Sequence, residues 1–464
     1  VNIHWFRNDL RLDDNPSLTK ATENSELIPI YIIDENATID FNQGEASLIW
    51  LYESLKLLNK SLENHLLIFK GDPLKILNEL KNNNNVSGVY WNRNYAPWEI
   101  ERDTIIKQEI KKTGIECETF NGNLLWEPWE ILKKDGTPYK VFTPFYRKGC
   151  LGSSPPRPPL PKPTKINFKQ DVVKNNEFDI EKTNAKNWQK SILSHALIGE
   201  KKAFERLEFF IKNGLKNYKD GRNFPSLDNV SRLAPNFHFG EISPNKVWYT
   251  VFNNNDNTDH FLSELGWREF SNHLLYHFPQ FIYENLQKKF DGFPWKNDGI
   301  ALKKWQKGLT GFPLVDAGMR ELWQTGSMHN RLRMVVGSFL VKNLLIDWRL
   351  GAKWFWNCLF DADIANNTAG WQWIAGCGAD AAPYFRVFNP VTQSEKFDKK
   401  GIYIKKYIPE LIHLDQKFIH CPWEAPNSVL LDAGIKLGET YPSPIVDLKV
   451  SRLKALDAFN TLKS

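Results

Sequence analysis

The spacing of apolar residues differs along the chain, and the first 125 residues show the most regular alternation. Short apolar or β-branched runs alternate there with amphipathic stretches. The runs predict strands and the stretches predict helices: Leu27–Ile33, Leu66–Phe69, Val86–Trp91 and Glu116–Phe120 as strands, and Ala46–Leu62, Pro73–Lys81 and Trp98–Lys112 as helices. This βαβ order predicts an α/β domain at 1–125, with a Rossmann-like, doubly wound parallel sheet.

The next segment, 126–187, predicts a connector. Its run Gly152–Pro163 is rich in proline, which fixes φ and has no backbone N–H, so it cannot continue a helix. The Lys- and Asn-rich stretch that follows has little periodicity. We therefore expect a long connection lying over the surface.

From Trp188 onward, strand signals nearly vanish and apolar residues recur at steps of three and four. The predicted helices are Ala196–Asn213, Ser243–Phe252, Thr258–His277, Leu302–Lys307, Val315–Thr325, Met328–Leu345 and Ala352–Phe360. The pattern predicts a large all-α domain at 188–464.

Composition narrows the classes of protein. With 42% hydrophobic and 25% charged residues, no 18-residue apolar run and no signal-peptide order at the N-terminus, we expect a cytoplasmic protein without a membrane span. Five cysteines, none at Cys-x-x-Cys spacing, argue against a disulfide framework and a metal site. A net charge of +6 would indicate a nucleic-acid partner only if the positive residues gathered on one face. The 18 tryptophans suggest large cores, stacking platforms or redox relays.

Three motifs in the helical half combine polar and aromatic residues unusually. On a helix, Glu264, Trp267 and Arg268 share one face, as do Asn330, Arg333 and Met334. Asp361 and Asp363 follow a helix end, and a long run of small residues begins at Trp371. Each alone also fits a bland interpretation: a surface salt bridge, a solvated face, helix caps or a tight helix junction.

Their joint occurrence in this order resembles the photolyase–cryptochrome family, and more narrowly the microbial class I cyclobutane pyrimidine dimer photolyases. The resemblance extends over nearly the whole chain except the connector. It includes, besides the motifs above, His4–Asn15, Gly44–Ser47, Tyr139–Phe145, Asp347–Arg349, Trp371–Lys396 and Tyr441–Asp447.

The resemblance implies FAD in the helical domain. The residues that match the family's diphosphate-binding pattern are Tyr218, Ser231, Arg232 and Leu233. Those that match the rest of the FAD site, chiefly around the flavin ring, are Arg268, Asn330, Arg333, Asp361, Asp363 and Asn367. Asn367 matches a neutral amide opposite flavin N5 that suits a reduced, anionic flavin, whereas plant cryptochromes carry Asp there.

The family further implies a pocket for a flipped-out pyrimidine dimer in DNA, bound without sequence preference. The matching residues are Glu264, Trp267, Asn330, Arg331, Met334 and Trp373. Light would excite reduced FAD, an electron would pass to the dimer and return after the ring splits, and a protonated Glu264 could donate a hydrogen bond to the dimer. Trp371, Trp348 and Trp295 match a tryptophan relay that returns oxidised flavin to its reduced state by passing electrons to it.

The resemblance leaves two questions open. Members often hold an antenna in the N-terminal domain; at Trp98 and Glu99 the acid of a folate-binding Asn-Glu pair remains but Trp replaces Asn. Methenyltetrahydrofolate is preferred here over 8-hydroxy-5-deazaflavin. The alternatives to dimer repair are repair of (6-4) photoproducts and a cryptochrome-like photoreceptor, although the chain stops about twenty residues beyond Tyr441–Asp447, without room for a signalling tail. We expect a monomer.

Overall fold

The structure is a computed structural model that describes residues 1–35, 42–175, 177–254, 258–381 and 386–463. Its N-terminal part is a sheet of five parallel strands in the order β3-β2-β1-β4-β5. The strands are β1 (Asn2–Phe6), β2 (Leu27–Asp34), β3 (Leu67–Gly71), β4 (Gly88–Asn92) and β5 (Glu116–Phe120), and the helices between them are α1 (Pro16–Ala21), α2 (Glu45–Ser61), α3 (Pro73–Asn83) and α4 (Pro97–Lys112).

The predicted strands and helices of this part all occur, with ends displaced by at most two residues. β1 and α1 were not predicted. All five residues of β1 are buried because the strand lies in the middle of the sheet and is covered on both faces. The order of the strands reverses between β1 and β4, which is where open α/β sheets bind ligands at their carboxyl edge.

The C-terminal part is helical, as predicted. Its α-helices are α5 (Phe142–Pro144), α6 (Asn187–Leu193), α7 (Glu200–Asn213), α8 (Tyr218–Gly221), α9 (Ala234–His238), α10 (Pro244–Phe252), α11 (Asp259–His277), α12 (Gly299–Gln306), α13 (Pro313–Thr325), α14 (Asn330–Ser338), α15 (Trp348–Cys358), α16 (Ile364–Ala375), α17 (Pro390–Phe397), α18 (Ile402–Tyr407), α19 (Asn427–Asp432) and α20 (Leu448–Asn460).

Two predicted helices differ in instructive ways. The helix predicted from Ala196 begins only at Glu200, because Gly199 adopts φ 93° and separates it from the preceding segment. The helix predicted over Met328–Leu345 is α14 followed by a π-helical turn at Phe339–Asn343, so the apolar period continues through a widened turn.

The segment between the two parts packs differently along its length. Phe142, Phe145 and Tyr146 are buried with the helices, whereas Phe168 and Phe178 pack against the apolar core of the α/β part. The latter stretch touches the sheet through isolated bridges to Leu27 and Phe69. The placement of 126–187 as one connector remains a proposal. Among the described residues, no helix is long and apolar enough to cross a bilayer.

Candidate cofactor and substrate site

A cavity of about 1140 Å³ lies between the helices and the carboxyl edge of the sheet. Small-molecule sites are usually about 300–1,000 Å³, so it can hold a large cofactor with room to spare. Most of the predicted site residues line it: Trp98, Glu99, Tyr218, Ser231, Arg232, Leu233, Glu264, Trp267, Arg268, Asn330, Arg333, Met334, Asp361, Asp363, Asn367, Trp371 and Trp373. Arg331, Trp295 and Trp348 do not.

Helix α11 presents Glu264, Trp267 and Arg268 to the cavity, on the shared face that their spacing predicts. The Trp267 ring stacks on Phe142, with centroids 3.8 Å apart and planes 9° from parallel. One face of the indole is therefore backed by protein. The Arg268 guanidinium donates to Glu269 at 3.1 Å and lies over the Phe237 ring.

Helix α14 begins at the cavity because His329 caps it. The ring Nδ1 of His329 accepts the Arg331 N–H at 3.2 Å. From this start Asn330, Arg333 and Met334 face the cavity, as their spacing predicts. Arg331 does not line the cavity; it is half-buried, donates to Asn223 and lies 4.3 Å over the Phe397 ring.

An ion pair fixes the flavin end of the predicted site. Arg333 donates to both carboxylate oxygens of Asp361 at 3.0 and 2.9 Å and to the Met328 carbonyl at 2.9 Å. Asp363 caps α16 by accepting the Asn366 N–H at 2.8 Å. One turn later, the Asn367 amide donates to the Ala352 carbonyl at 3.1 Å, which leaves its oxygen as an acceptor.

The predicted diphosphate loop is held by a residue that the sequence analysis missed. Arg206, from α7, is buried and donates to the Ser231 carbonyl at 2.8 Å, to the Val230 carbonyl and to both oxygens of Asp228. Arg232 also donates to Asp228 and adopts φ 57°. The loop therefore has a defined shape before any ligand binds.

Glu264 lies near the rim beside Arg222, with which it forms an ion pair. The Arg222 guanidinium also lies over the Tyr218 ring at 5.3 Å. Arg222 donates to one oxygen of Glu264, and the role of Glu264 as a hydrogen-bond donor to the dimer stays a prediction. Arg222 lies four residues after Tyr218, and this i, i+4 step was the signal that could have identified it.

Two partly buried imidazoles each have a buried ring nitrogen at the cavity that makes no hydrogen bond within the described part of the chain. His329 Nε2 and His238 Nδ1 have no hydrogen-bond partner among the described residues. Burial lowers the pKa of His329 to about 3, and four arginines around it act in the same direction. Because Nδ1 of the neutral ring accepts a hydrogen bond, Nε2 carries the hydrogen and can donate it to a ligand.

The residues present fit FAD. Arg232 beside the shaped loop at Ser231 suits a diphosphate, and Arg268, Arg333 and the free oxygen of Asn367 suit the polar edge of a flavin. The two unpartnered imidazole nitrogens are what a site shaped for a polar ligand would display. Among the described residues, no cluster of His, Cys, Asp or Glu could hold a metal ion.

The three predicted relay tryptophans lie in or against one helical core. Trp371 and Trp348 are almost fully buried, whereas Trp295 is partly exposed and lies against Phe293. Trp371 makes ring contacts with Trp305 and Phe355, and Trp348 donates to Asn285. In the described part of the chain the three rings do not contact one another, so the relay remains a prediction.

The predicted antenna residues lie at the α/β end of the same cavity. Trp98 lines it at the start of α4. Glu99 accepts the Asn94 amide at 2.7 Å and lies 3.8 Å from Arg102, so its carboxylate already has partners.

Comparisons with known proteins agree with this geometry. Residues 2–164 match the family model described as DNA photolyase, and 261–461 match that of the FAD binding domain of DNA photolyase. A deoxyribodipyrimidine photo-lyase of Agrobacterium fabrum is 43% identical, with 99% of this chain and 98% of that protein aligned. Cryptochrome-2 of Arabidopsis thaliana is 36% identical over 97% of this chain and 77% of its own length. A bacterial class III photolyase structure from Agrobacterium tumefaciens superposes with a TM-score of 0.94 at 42% identity, covering 100% of this chain and 97% of that one.

The chain belongs to the DNA photolyase–cryptochrome family. The predictions of the family, of an α/β domain followed by an FAD-binding helical domain, and of an enzyme of the photo-lyase class are confirmed. The motifs resembled class I, whereas the solved relative is described as class III, so the narrower class stays a prediction.

Proposed function

We propose that this protein repairs cyclobutane pyrimidine dimers in DNA with light, using FAD bound in the helical domain. The observation that carries the proposal is that five of the six predicted dimer-pocket residues line the same cavity as the flavin-binding set. These five are Glu264, Trp267, Asn330, Met334 and Trp373. When bound and reduced, FAD supplies the photoexcited electron that splits the dimer and is afterwards returned.

The chain's own residues have distinct tasks in this proposal. Trp267, backed by Phe142, presents a ring to the flipped bases, and Trp373 covers them from α16. Asn330 and Glu264 form hydrogen bonds with the polar edges of the bases. Arg331 lies outside the cavity, where a guanidinium can bind a DNA phosphate without reading sequence.

The proposed substrate is tested with two lesions. Prereduced protein is mixed with oligonucleotides that carry one thymine dimer or one (6-4) photoproduct, and restored thymines are counted after blue light or darkness. We expect light-dependent restoration of the dimer alone. Restoration of the (6-4) product alone would replace the proposed substrate; Asn330 argues against it, since that branch has a second His there.

We also propose an antenna chromophore, with methenyltetrahydrofolate preferred over 8-hydroxy-5-deazaflavin. Trp98 supports this, since its indole lines the cavity and could stack on a pterin. Extraction of purified protein followed by chromatography tests it: folate is expected beside FAD, and a deazaflavin in its place would overturn the preference. A cytoplasmic location and a monomeric state remain proposals.

A photoreceptor is the second candidate, because a plant cryptochrome is among the relatives. Asn367 favours repair, since it is a neutral amide where plant cryptochromes carry Asp, and it is held in place by donating to the Ala352 carbonyl. Tight dark binding of dimer-containing DNA without splitting under light would favour the photoreceptor.

A further inference from the structure

Helix α11 carries a buried carboxylate, Glu269, which faces away from the cavity. Glu269 does not line the cavity and its residue is only 3% exposed. One oxygen accepts the N–H groups of Leu125 and Trp126 at 2.9 and 3.3 Å. The other accepts Arg268 Nη1 at 3.1 Å. Glu269 therefore joins the segment that follows the sheet to a residue of the flavin site.

Arg268 depends on this contact. Among the described residues, Glu269 is the one carboxylate within 4.0 Å of the Arg268 guanidinium, and the guanidinium donates no other hydrogen bond to protein. Glu269 therefore holds the Arg268 guanidinium from outside the cavity, while Arg268 itself lines the cavity. A guanidinium held at one end presents its remaining N–H groups in a defined direction.

The electrostatic surroundings of Glu269 are unusual. Burial raises the pKa of its carboxyl to about 7, against the opposing effect of Arg268 and the two backbone N–H groups. The Cys150 thiol on the π-helical turn Phe145–Cys150 also interacts with it, and burial keeps that thiol neutral by raising its pKa. A proton on Glu269 would leave the charge of Arg268 uncompensated.

We propose that Glu269 is a positioning residue for the flavin site: it orients Arg268 toward the cofactor and offsets its charge. The inference rests on the proposed function. Neutral Glu269 leaves more positive charge beside the ring, which stabilises an anionic reduced flavin and raises its reduction potential. Ionised Glu269 has the opposite effect.

The test compares Glu269→Gln with a matched control, Glu241→Gln. Glu241 is also buried, its pKa is also raised by burial to about 7, and it accepts from Trp50 and Asn236 without lining the cavity. Titration of the apoprotein with FAD is expected to show affinity lower by on the order of tenfold in E269Q and unchanged in E241Q.

The reduction potential of the bound flavin, measured against pH, separates positioning from general loss of stability. Above pH 7 wild type carries the carboxylate, so E269Q is expected to have the higher potential. Below pH 7 wild-type Glu269 is protonated, and the two potentials should converge. E241Q should follow wild type throughout. The reduction potential of wild type should also fall more steeply with rising pH around pH 7 than the potential of free FAD. This comparison tests the inference even if E269Q does not fold.

The two proposals fail differently. Wild type that neither contains nor rebinds flavin overturns the proposed function and the inference with it. Flavin-bound wild type whose potential and affinity are matched by E269Q at every pH overturns the inference alone.

Discussion

The first motif of the α/β domain and the motifs of the helical domain both consist of polar residues in an unusual order, yet they serve different purposes. In the run His4–Asn15 the charged residues Asp9, Arg11 and Asp14 are at most 1% exposed and bond largely to the protein itself. In the helical domain Glu264, Arg268 and Asn330 border the cavity. The start of that run, 5–8, also lines the cavity, but its buried charges join the two domains, whereas the helical motifs contribute side chains to the ligand site.

The joint between the two domains is the set of hydrogen bonds made by Arg11 and Asp14. Arg11 donates to the Gly122 carbonyl at 2.6 Å and to the Gly240 carbonyl of the helical part at 2.9 Å, besides its own turn. Asp14 accepts from Ser243 at 2.5 Å and from Arg157 at 2.6 Å. Matching a family motif therefore indicates a required residue without saying whether architecture or chemistry requires it.

The largest effect is expected at the joint. Arg11→Met leaves several buried carbonyls without a donor and should lower the free energy of unfolding by about 3–5 kcal/mol. The measurements are thermal unfolding and repair per bound flavin, with exposed Arg452→Met as the control. Unchanged stability combined with lost repair per flavin would erase the distinction between the motifs.

The next effect is expected in the cavity. Asp361→Ala removes both hydrogen bonds to Arg333, so FAD affinity should fall about a hundredfold while unfolding changes little. The matched control is Glu410→Ala, which removes an equally bidentate pair with Arg320 outside the cavity. If both variants keep full FAD affinity, the helical motif is architectural too.

A smaller, selective effect is expected at Trp371. Trp371→Phe should slow photoreduction of oxidised flavin at least about tenfold and leave repair by prereduced enzyme intact, because the predicted relay uses this ring for electron donation and the predicted dimer pocket does not include it. Trp305→Phe is the control, since Trp305 is equally buried and borders Trp371. Equal slowing in both variants would contradict the relay as assigned.

The smallest effect is expected at Trp98, the aromatic residue of α4 that lines the cavity. Trp98→Ala should leave FAD content and repair under direct flavin excitation within about twofold, because Trp98 is not among the residues predicted to bind the flavin. A folate chromophore should be lost from the extract. Loss of FAD would mean that both ends of the cavity bind one cofactor.

How much the sequence predicts depends on the kind of signal. The sheet was predictable because its buried runs alternate with amphipathic helices. Helix α16 was not, since Asn366, Asn367 and Gly370 obscure its apolar stripe; its capping residues Asp363 and Gly376, the latter at φ 90°, were the available signal. β1 was missed because it carries His4 and Trp5 in a short run.

Within the site, helical spacing correctly brought together side chains on one face, as for Glu264, Trp267 and Arg268. It could not predict partners from distant elements. Arg206 and Arg222 act on the loop and on Glu264 across tertiary contacts, and Arg331 leaves the cavity for Asn223. Such pairings arise only once the helices pack.

We expect the cavity between the helices and the sheet to be the site of light-dependent dimer splitting. The most direct test of this expectation is single-turnover repair of a thymine-dimer oligonucleotide by prereduced, flavin-bound protein, with identical samples kept dark. We expect restored thymines in the illuminated sample and none in the dark. Tight binding of the lesion with no splitting under blue light would contradict it.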